Sequence, residues 1–262
     1  MFPELMHSAP ISRRRFIAAS AAATAVLATG CSLQSVATSA FDDRLKSRPG
    51  TPTRSAALGI QALGLSPGRD GLLYVPASAL TSKNNPLMVL LHGAGGNASN
   101  WFGSYGARSD ASGIVMLAVE SRELTWHSAI SGAGADGAFI DRALAEVFDK
   151  VSIDPNRIAL AGFSDGASYS LSLGLTNGDY FHNVIAYSPG YLEVGPPHGK
   201  PPIFISHGTN DNILPIDQTS RQFVPQLRQA GYTVDYREFV GVHEVPATIS
   251  DAAIAWVTAS WP

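Results

Sequence analysis

Three residues in this chain have types and positions that can do chemistry together: Ser164, Asp211 and His243. Ser164 sits in Gly162-Phe163-Ser164-Asp165-Gly166, between an apolar run at 157–161 and a small-residue helical pattern at 167–175. Strand, sharp turn and helix is the layout that presents a serine hydroxyl at the tip of a strained turn. The flanking glycines are needed because a Cβ at either place would collide with the strand or the helix. Alone, the pentapeptide is a pattern that chance supplies readily in a chain rich in Gly and Ser. Two later loops give it weight. Asp211 follows an apolar run at 203–206, within His207-Gly208-Thr209-Asn210-Asp211-Asn212-Ile213-Leu214-Pro215. His243 follows an alternating run at 233–240, within Gly241-Val242-His243-Glu244-Val245-Pro246. All three lie just past an expected strand, where functional groups gather in an open parallel sheet.

The chemistry asks for these types. A serine hydroxyl is a weak nucleophile at neutral pH, so His243 would take its proton during attack on an acyl carbon and return it to the leaving group. Asp211 would hold the imidazole in the right tautomer and stabilise its cation. The oxyanion needs donors. The Asp165 backbone N–H, at the start of the elbow helix, is one. The loop Gly93-Ala94-Gly95 supplies the other through the Ala94 N–H. The Asp165 side chain would disfavour anionic acyl substrates if it faces the pocket. Trp101, Trp126, His127 and Tyr191 are the candidates for a substrate pocket, against plainer readings: Trp101 anchoring its helix and Trp126 packing its loop. His92 is expected to shape the oxyanion loop and His207 to be a packed histidine. Asp217 competes with Asp211 for the acid role, but reads as a helix N-cap, as does Asp136.

The elements that must position these groups follow from hydrophobic period and turn chemistry. Runs at 58–65 and 71–75 form a leading antiparallel hairpin. Residues 87–91 are a strand buried on both faces, followed by a helix over 99–112 and a strand over 113–119. Phe139, Ala143, Val147, Phe148 and Val151 mark one face of an amphipathic helix. After the elbow come strands at 184–187 and 203–206. A helical segment after Pro215 should be kinked or split by Pro225. A last strand over 233–240 and a closing helix over 245–260 complete the chain. The alternation predicts an α/β fold: a mostly parallel central sheet, helices on both faces, and no large lid domain, because the connection at 188–200 is short.

Leu91-His92-Gly93-Ala94-Gly95-Gly96, the Gly-Phe-Ser-Asp-Gly turn, Gly208-Thr209-Asn210-Asp211 with Pro215, and Gly241-Val242-His243 with Pro246 together resemble the α/β-hydrolase superfamily. The resemblance covers residues 56–262. It is nearest to the small, lidless phospholipase/carboxylesterase group, with relatives among polyhydroxybutyrate-depolymerase-like and feruloyl-esterase-like enzymes. It implies a cofactor-free carboxylic ester hydrolase acting on a small-molecule or lipid-like ester. Asp165 departs from the family pattern, which more often has Gln, Met, Asn or Ala after the nucleophile. Peptidase or thioesterase chemistry with the same triad, and a non-catalytic ligand-binding homologue, are the alternatives.

Composition bounds the rest. The chain has 262 residues, 45% of them hydrophobic, and a formal net charge of -3, so nucleic acid is not an expected partner. A single cysteine, Cys31, leaves no internal disulfide framework and no cysteine-based metal site, and the seven histidines are not paired at ligand spacing. Ser12-Arg13-Arg14-Arg15-Phe16-Ile17 followed by an uncharged Ala-rich stretch reads as an export signal over 1–31. It resembles a twin-arginine signal, which implies delivery to the twin-arginine export machinery of a bacterium; the plainer reading is an ordinary general-secretory signal with a basic start. The product would be periplasmic or anchored on the outer side of the cytoplasmic membrane. Leu27-Ala28-Thr29-Gly30-Cys31 looks like a lipoprotein cleavage box, offset by one residue; lipidation at Cys31 as a membrane tether stands beside a plain cleavage site. Residues 32–55, rich in Ser, Thr, Ala and Pro, are expected to be a flexible linker.

Overall fold

The computed structural model describes residues 44–126 and 134–262. Its framework is an eight-stranded sheet made of β1 (Gly59–Ala62), β2 (Gly71–Val75), β3 (Asn85–Leu91), β4 (Val115–Val119), β5 (Ile153–Phe163), β6 (Asn183–Tyr187), β7 (Ile203–Gly208) and β8 (Val234–Phe239), in the order β1-β2-β4-β3-β5-β6-β7-β8. The β1–β2 and β2–β4 pairs are antiparallel; every pair from β4 through β8 is parallel. Parallel strands need crossovers, and five helices supply or flank them: α1 (Ser99–Ser112), α2 (Gly134–Lys150), α3 (Asp165–Thr176), α4 (Ser220–Gln229) and α5 (Ala247–Ser260).

The central strands are apolar on both faces, and their two-residue period sorts them into two cores. Leu87, Val89, Leu91, Val115, Leu117, Val119, Ile158 and Leu160 pack with α2 residues such as Phe139, Ala143 and Val147. The alternate residues, Met88, Leu90, Met116, Ala118, Ala159 and Ala161, pack with Trp101 and Tyr105 of α1 and with Ile249, Ala253 and Val257 of α5. Toward β8, Val184, Ala186, Ile203 and Ile205 pack with α3 and α4. The expected antiparallel start, parallel body and helix-covered faces are all present.

Four details differ from the sequence expectation. Residues 44–55 are docked on the domain, so the expected linker over 32–55 does not extend this far. Leu45 is buried, its N–H reaches Asn177 Oδ1 at 2.9 Å, Lys46 and Ser47 N–H groups reach Asp141 Oδ1, and Arg54 pairs with Glu146 at 2.7 Å. These contacts join single groups far apart in sequence, so they leave no periodic trace. Asp136 lies within the first turn of α2, not ahead of it, and its buried carboxylate accepts the Arg122 N–H at 2.6 Å. Asp217 makes no side-chain cap to the 3-10 turn at 216–218 or to α4; it pairs with Arg221 Nη1 at 2.7 Å. The break before α4 falls at Thr219 (φ -128°, ψ -104°), and the helix runs through Pro225 to Gln229. Pro225 sits on the exposed side, where water can serve the Arg221 carbonyl left without its partner.

The elbow is the tightest point of the fold. Ser164 has φ 58° and ψ -120°, a conformation costing about 1–3 kcal/mol for a non-glycine residue. A Cβ on Gly162 would lie 2.0 Å from Gly166 O, and one on Gly166 would lie 2.4 Å from both Leu91 O and His92 O. All of these are backbone atoms, so no rotamer change relieves the overlap. Gly166→Ala is therefore expected to destabilise the protein by about 3 kcal/mol or more, measured by urea denaturation against the parent chain.

Candidate active site

The three groups separated in sequence converge at the carboxyl ends of β5, β7 and β8. His243 Nε2 lies 2.8 Å from Ser164 Oγ, and His243 Nδ1 lies 2.6 Å from Asp211 Oδ2. The carboxylate faces Nδ1, so Nδ1 carries the proton and Nε2 is left to accept from the serine hydroxyl. Phe163, next to the serine, covers the imidazole at a ring separation of 4.8 Å. Ser164 and Asp211 are buried, while His243 keeps partial exposure.

Asp211 is held on both oxygens. Oδ1 accepts the Ile213 and Leu214 N–H groups at 2.9 and 2.8 Å, closing the loop on itself. Oδ2 faces both His243 and His207, the latter at 3.2 Å. Burial pushes the Asp211 carboxyl up, but hydrogen bonds from His207, His243 and the Leu214 N–H outweigh it and hold the group well below the usual carboxylate range. His207 is fully buried, as expected of a packed histidine: Nε2 also donates to Leu214 O at 2.8 Å, and Nδ1 accepts from Ser220 Oγ at 2.7 Å. Its link to the acid was not anticipated. The only signal was its place four residues before Asp211, at the end of β7.

The loop after β3 lies against the nucleophile: a Cβ on Gly93 would be 3.3 Å from Ser164 Cβ. Gly95 N–H donates to Leu124 O at 2.6 Å and Gly96 N–H to Gly93 O at 2.9 Å. The Ala94 N–H has no backbone acceptor among the described residues, and the Asp165 N–H, on the first residue of α3, has no intrahelical one. These are the two donors expected for an oxyanion. His92 shapes the loop as expected. Its Nδ1–H donates to Gly93 O at 2.7 Å, while Nε2 accepts from Ser121 N–H at 3.1 Å and Arg69 Nη2 at 3.0 Å.

The pocket candidates fare differently. Trp101 is buried edge-on to Tyr105 at 5.0 Å and near Tyr187, so it fastens α1 to the sheet rather than lining a pocket. Trp126 is 3% exposed, stacks on Tyr169 at 5.3 Å, and donates Nε1–H to His92 O at 2.7 Å. It is a support beneath the oxyanion loop rather than a pocket wall. Tyr191 stands beside the elbow, with its N–H on Ser168 Oγ at 3.2 Å and its hydroxyl 3.3 Å from Asp165 Oδ1. Burial, together with the Asp165 charge and hydrogen bond, pushes the Tyr191 phenol up. The Asp165 carboxylate also accepts from Thr125 Oγ1 and, at 2.9 Å, from the Trp126 N–H. A charge with three donors already on it is not a bare charge facing substrate. His127 and Cys31 lie outside the described residues.

The fold is shared with solved structures. Esterase PE8 superposes with a TM-score of 0.58 at 21% identity, covering 77% of this chain and 99% of that one. The chain has the α/β-hydrolase fold. A sequence profile of the Phospholipase/Carboxylesterase family matches residues 136–255, a stretch that contains Ser164, Asp211 and His243. Among sequence relatives, feruloyl esterase C of Emericella nidulans is 32% identical over 161 residues, 57% of each chain. Acyl-protein thioesterase 1 of the same organism is 26% identical over 146 residues, 50% of this chain and 61% of that one. The chain thus spans about half the length of the relatives it matches.

His92 gives the site a pH-dependent support. Burial, aided by the Arg69 charge, pulls its pKa below the ordinary value despite the opposing bond to Gly93 O. The unfolded chain, with its histidine near pKa 6.5, then binds the proton first. Stability is full above that value and is lost as pH falls from about 6.5 toward the lower folded pKa. The thermal midpoint should fall over this window, and His92→Gln should show a shallower fall, read by calorimetry from pH 7.5 to 5.

Proposed function

We propose that the protein is a serine hydrolase that cleaves carboxylic esters through an acyl-enzyme on Ser164. The observation that carries this is the unbroken relay from Asp211 Oδ2 through His243 to Ser164 Oγ, at 2.6 and 2.8 Å. As Ser164 Oγ attacks the carbonyl carbon, its proton passes to His243 Nε2. Asp211 stabilises the resulting imidazolium across Nδ1–H. The carbonyl oxygen, now carrying the negative charge, takes the Ala94 and Asp165 N–H groups, each donor worth about 3 kcal/mol in the transition state. The tetrahedral intermediate collapses, its carbon–oxygen bond to the alcohol breaks, and His243 gives the alcohol its proton. Water then attacks the acyl-serine with His243 as base, releasing the acid and restoring the hydroxyl. Nothing in this cycle asks for a cofactor.

Similarity to a feruloyl esterase supports aryl-acid esters as a substrate class to try first. Similarity to an acyl-protein thioesterase favours thioesters as a second reading, since the same intermediate forms with sulfur as leaving atom. Residues 12–30 support export in a bacterium, which cell fractionation with Arg13 and Arg14 both replaced by Lys would test: the parent leaves the cytoplasm and the variant stays.

The decisive test is Ser164→Ala. It should lower hydrolysis of p-nitrophenyl and methyl aryl esters by roughly 10⁵-fold or more and abolish fluorophosphonate labelling, with Asp211→Asn losing about 10⁴-fold. Parent protein that is folded yet neither labels nor turns over any ester or thioester would overturn the hydrolase reading.

A further inference from the structure

The Asp165 side chain has no role in the triad chemistry, yet three donors converge on it directly beside Ser164. It receives Thr125 Oγ1 and the Trp126 N–H on Oδ2, and the Tyr191 hydroxyl on Oδ1. The first two come from the loop after β4. In the sheet, β4 is not a neighbour of β5; β3 lies between them. Residues 124–126 therefore cross the end of β3 to reach the elbow. While crossing they take hold of the loop that follows β3: Leu124 O accepts the Gly95 N–H at 2.6 Å, and Trp126 Nε1–H donates to His92 O at 2.7 Å.

One short segment thus bonds to both halves of the oxyanion site. On one side it holds His92 and Gly95, which bracket the Ala94 N–H. On the other it holds the carboxylate of the residue whose own N–H is the second donor. Two donors on separate loops stabilise an oxyanion only if their separation is set before the charge develops. We propose that the Asp165 side chain is a positioning residue: by clamping residues 124–126 it sets the spacing and aim of the Ala94 and Asp165 N–H groups. It touches neither substrate nor His243, and its effect is confined to the stage at which the carbonyl oxygen carries charge. Tyr191 completes the clamp from the β6 side, tying the loop that follows β6 to the same carboxylate. The inference rests on the hydrolase reading and specifies how its oxyanion site is preorganised.

The clamp predicts a particular split. With a p-nitrophenyl ester, Asp165→Ala should lower kcat by roughly 10- to 100-fold, as loss of an orienting partner typically does, while KM changes by less than about threefold because the uncharged ground state gains little from the donors. Affinity for a boronic acid that forms a tetrahedral adduct on Ser164 should fall by the same factor as kcat. Asp165→Asn keeps an oxygen that accepts from Thr125 and Trp126, and should retain kcat within about fivefold. Thr125→Val should lower kcat several-fold, and combining it with Asp165→Ala should cost less than the product of the two, as for partners in one contact.

A folded Asp165→Ala variant with parental kcat would overturn the proposal. So would a loss lying wholly in KM, an unchanged boronate affinity, or an Asp165→Asn variant as impaired as Asp165→Ala. If Asp165→Ala does not fold, Thr125→Val and Asp165→Asn decide by the same kcat and boronate readouts. Ser164-dependent labelling and turnover of the parent protein are measured first. Their absence overturns the hydrolase reading, whereas an active parent with an unimpaired Asp165→Ala variant overturns only the clamp.

Discussion

The close approach of α3 to the ends of β3 and β5 is the constraint on which the rest of this molecule depends. Gly166 sits against the carbonyls of Leu91 and His92 with no room for a methyl group, and Gly162 sits equally tightly against Gly166. That contact forces Ser164 into its positive-φ turn and brings its hydroxyl up to the loop after β3. It also brings the first residue of α3 close to that loop, so that one contact places Ser164 and both candidate oxyanion donors. The strain at Ser164 persists because the packing around it over-determines the backbone.

The second layer of order is polar. Asp211 divides its two oxygens between backbone N–H groups of its own loop and two histidines, and His207 is tied in turn to Ser220 and Leu214. His92 plays a parallel part on the opposite flank of Ser164, with Arg69, Ser121 and Gly93 as partners. Buried networks of this kind are costly when incomplete and rigid when complete. Here one network anchors the Asp211 carboxylate on His243 Nδ1, and His243 Nε2 is left facing the serine.

Much of this architecture was legible before any coordinates, and the reason is periodicity. The helix expected over 99–112 is α1, and each apolar run that suggested a strand is one, because burial on a sheet or helix imposes a repeat on the residues. The meeting of Ser164, Asp211 and His243 was legible because strand ends are marked by the same repeats. What escaped was whatever joins single groups across loops. Nothing in the sequence near Thr125 or Trp126 pointed to Asp165, and nothing near Leu45 or Arg54 pointed to α2. Trp101 and Trp126 were ambiguous because an aromatic on a catalytic loop serves a pocket or a core equally well; burial decided in favour of the core. Asp217 has a residue type suited to capping, but its carboxylate is taken by the Arg221 guanidinium, and Asp136 reaches across to the Arg122 N–H.

Helix α3 carries one further implication. Every residue from Gly166 to Thr176 is buried, so this helix has no solvent face at all. Its serines and glycines are where they are because layers close on it from all sides, and Gly174 is pressed against Val184 as tightly as side chains allow. A lineage inheriting this scaffold has almost no freedom to vary the element that follows Ser164. Room to vary lies in the surrounding rims, at exposed positions such as Pro196, Pro197, Asn210, Asn212, Val240 and Val242. In those rims a substitution can reshape what the serine meets without disturbing how the serine is held, so novelty in such a lineage accumulates around an almost immutable centre.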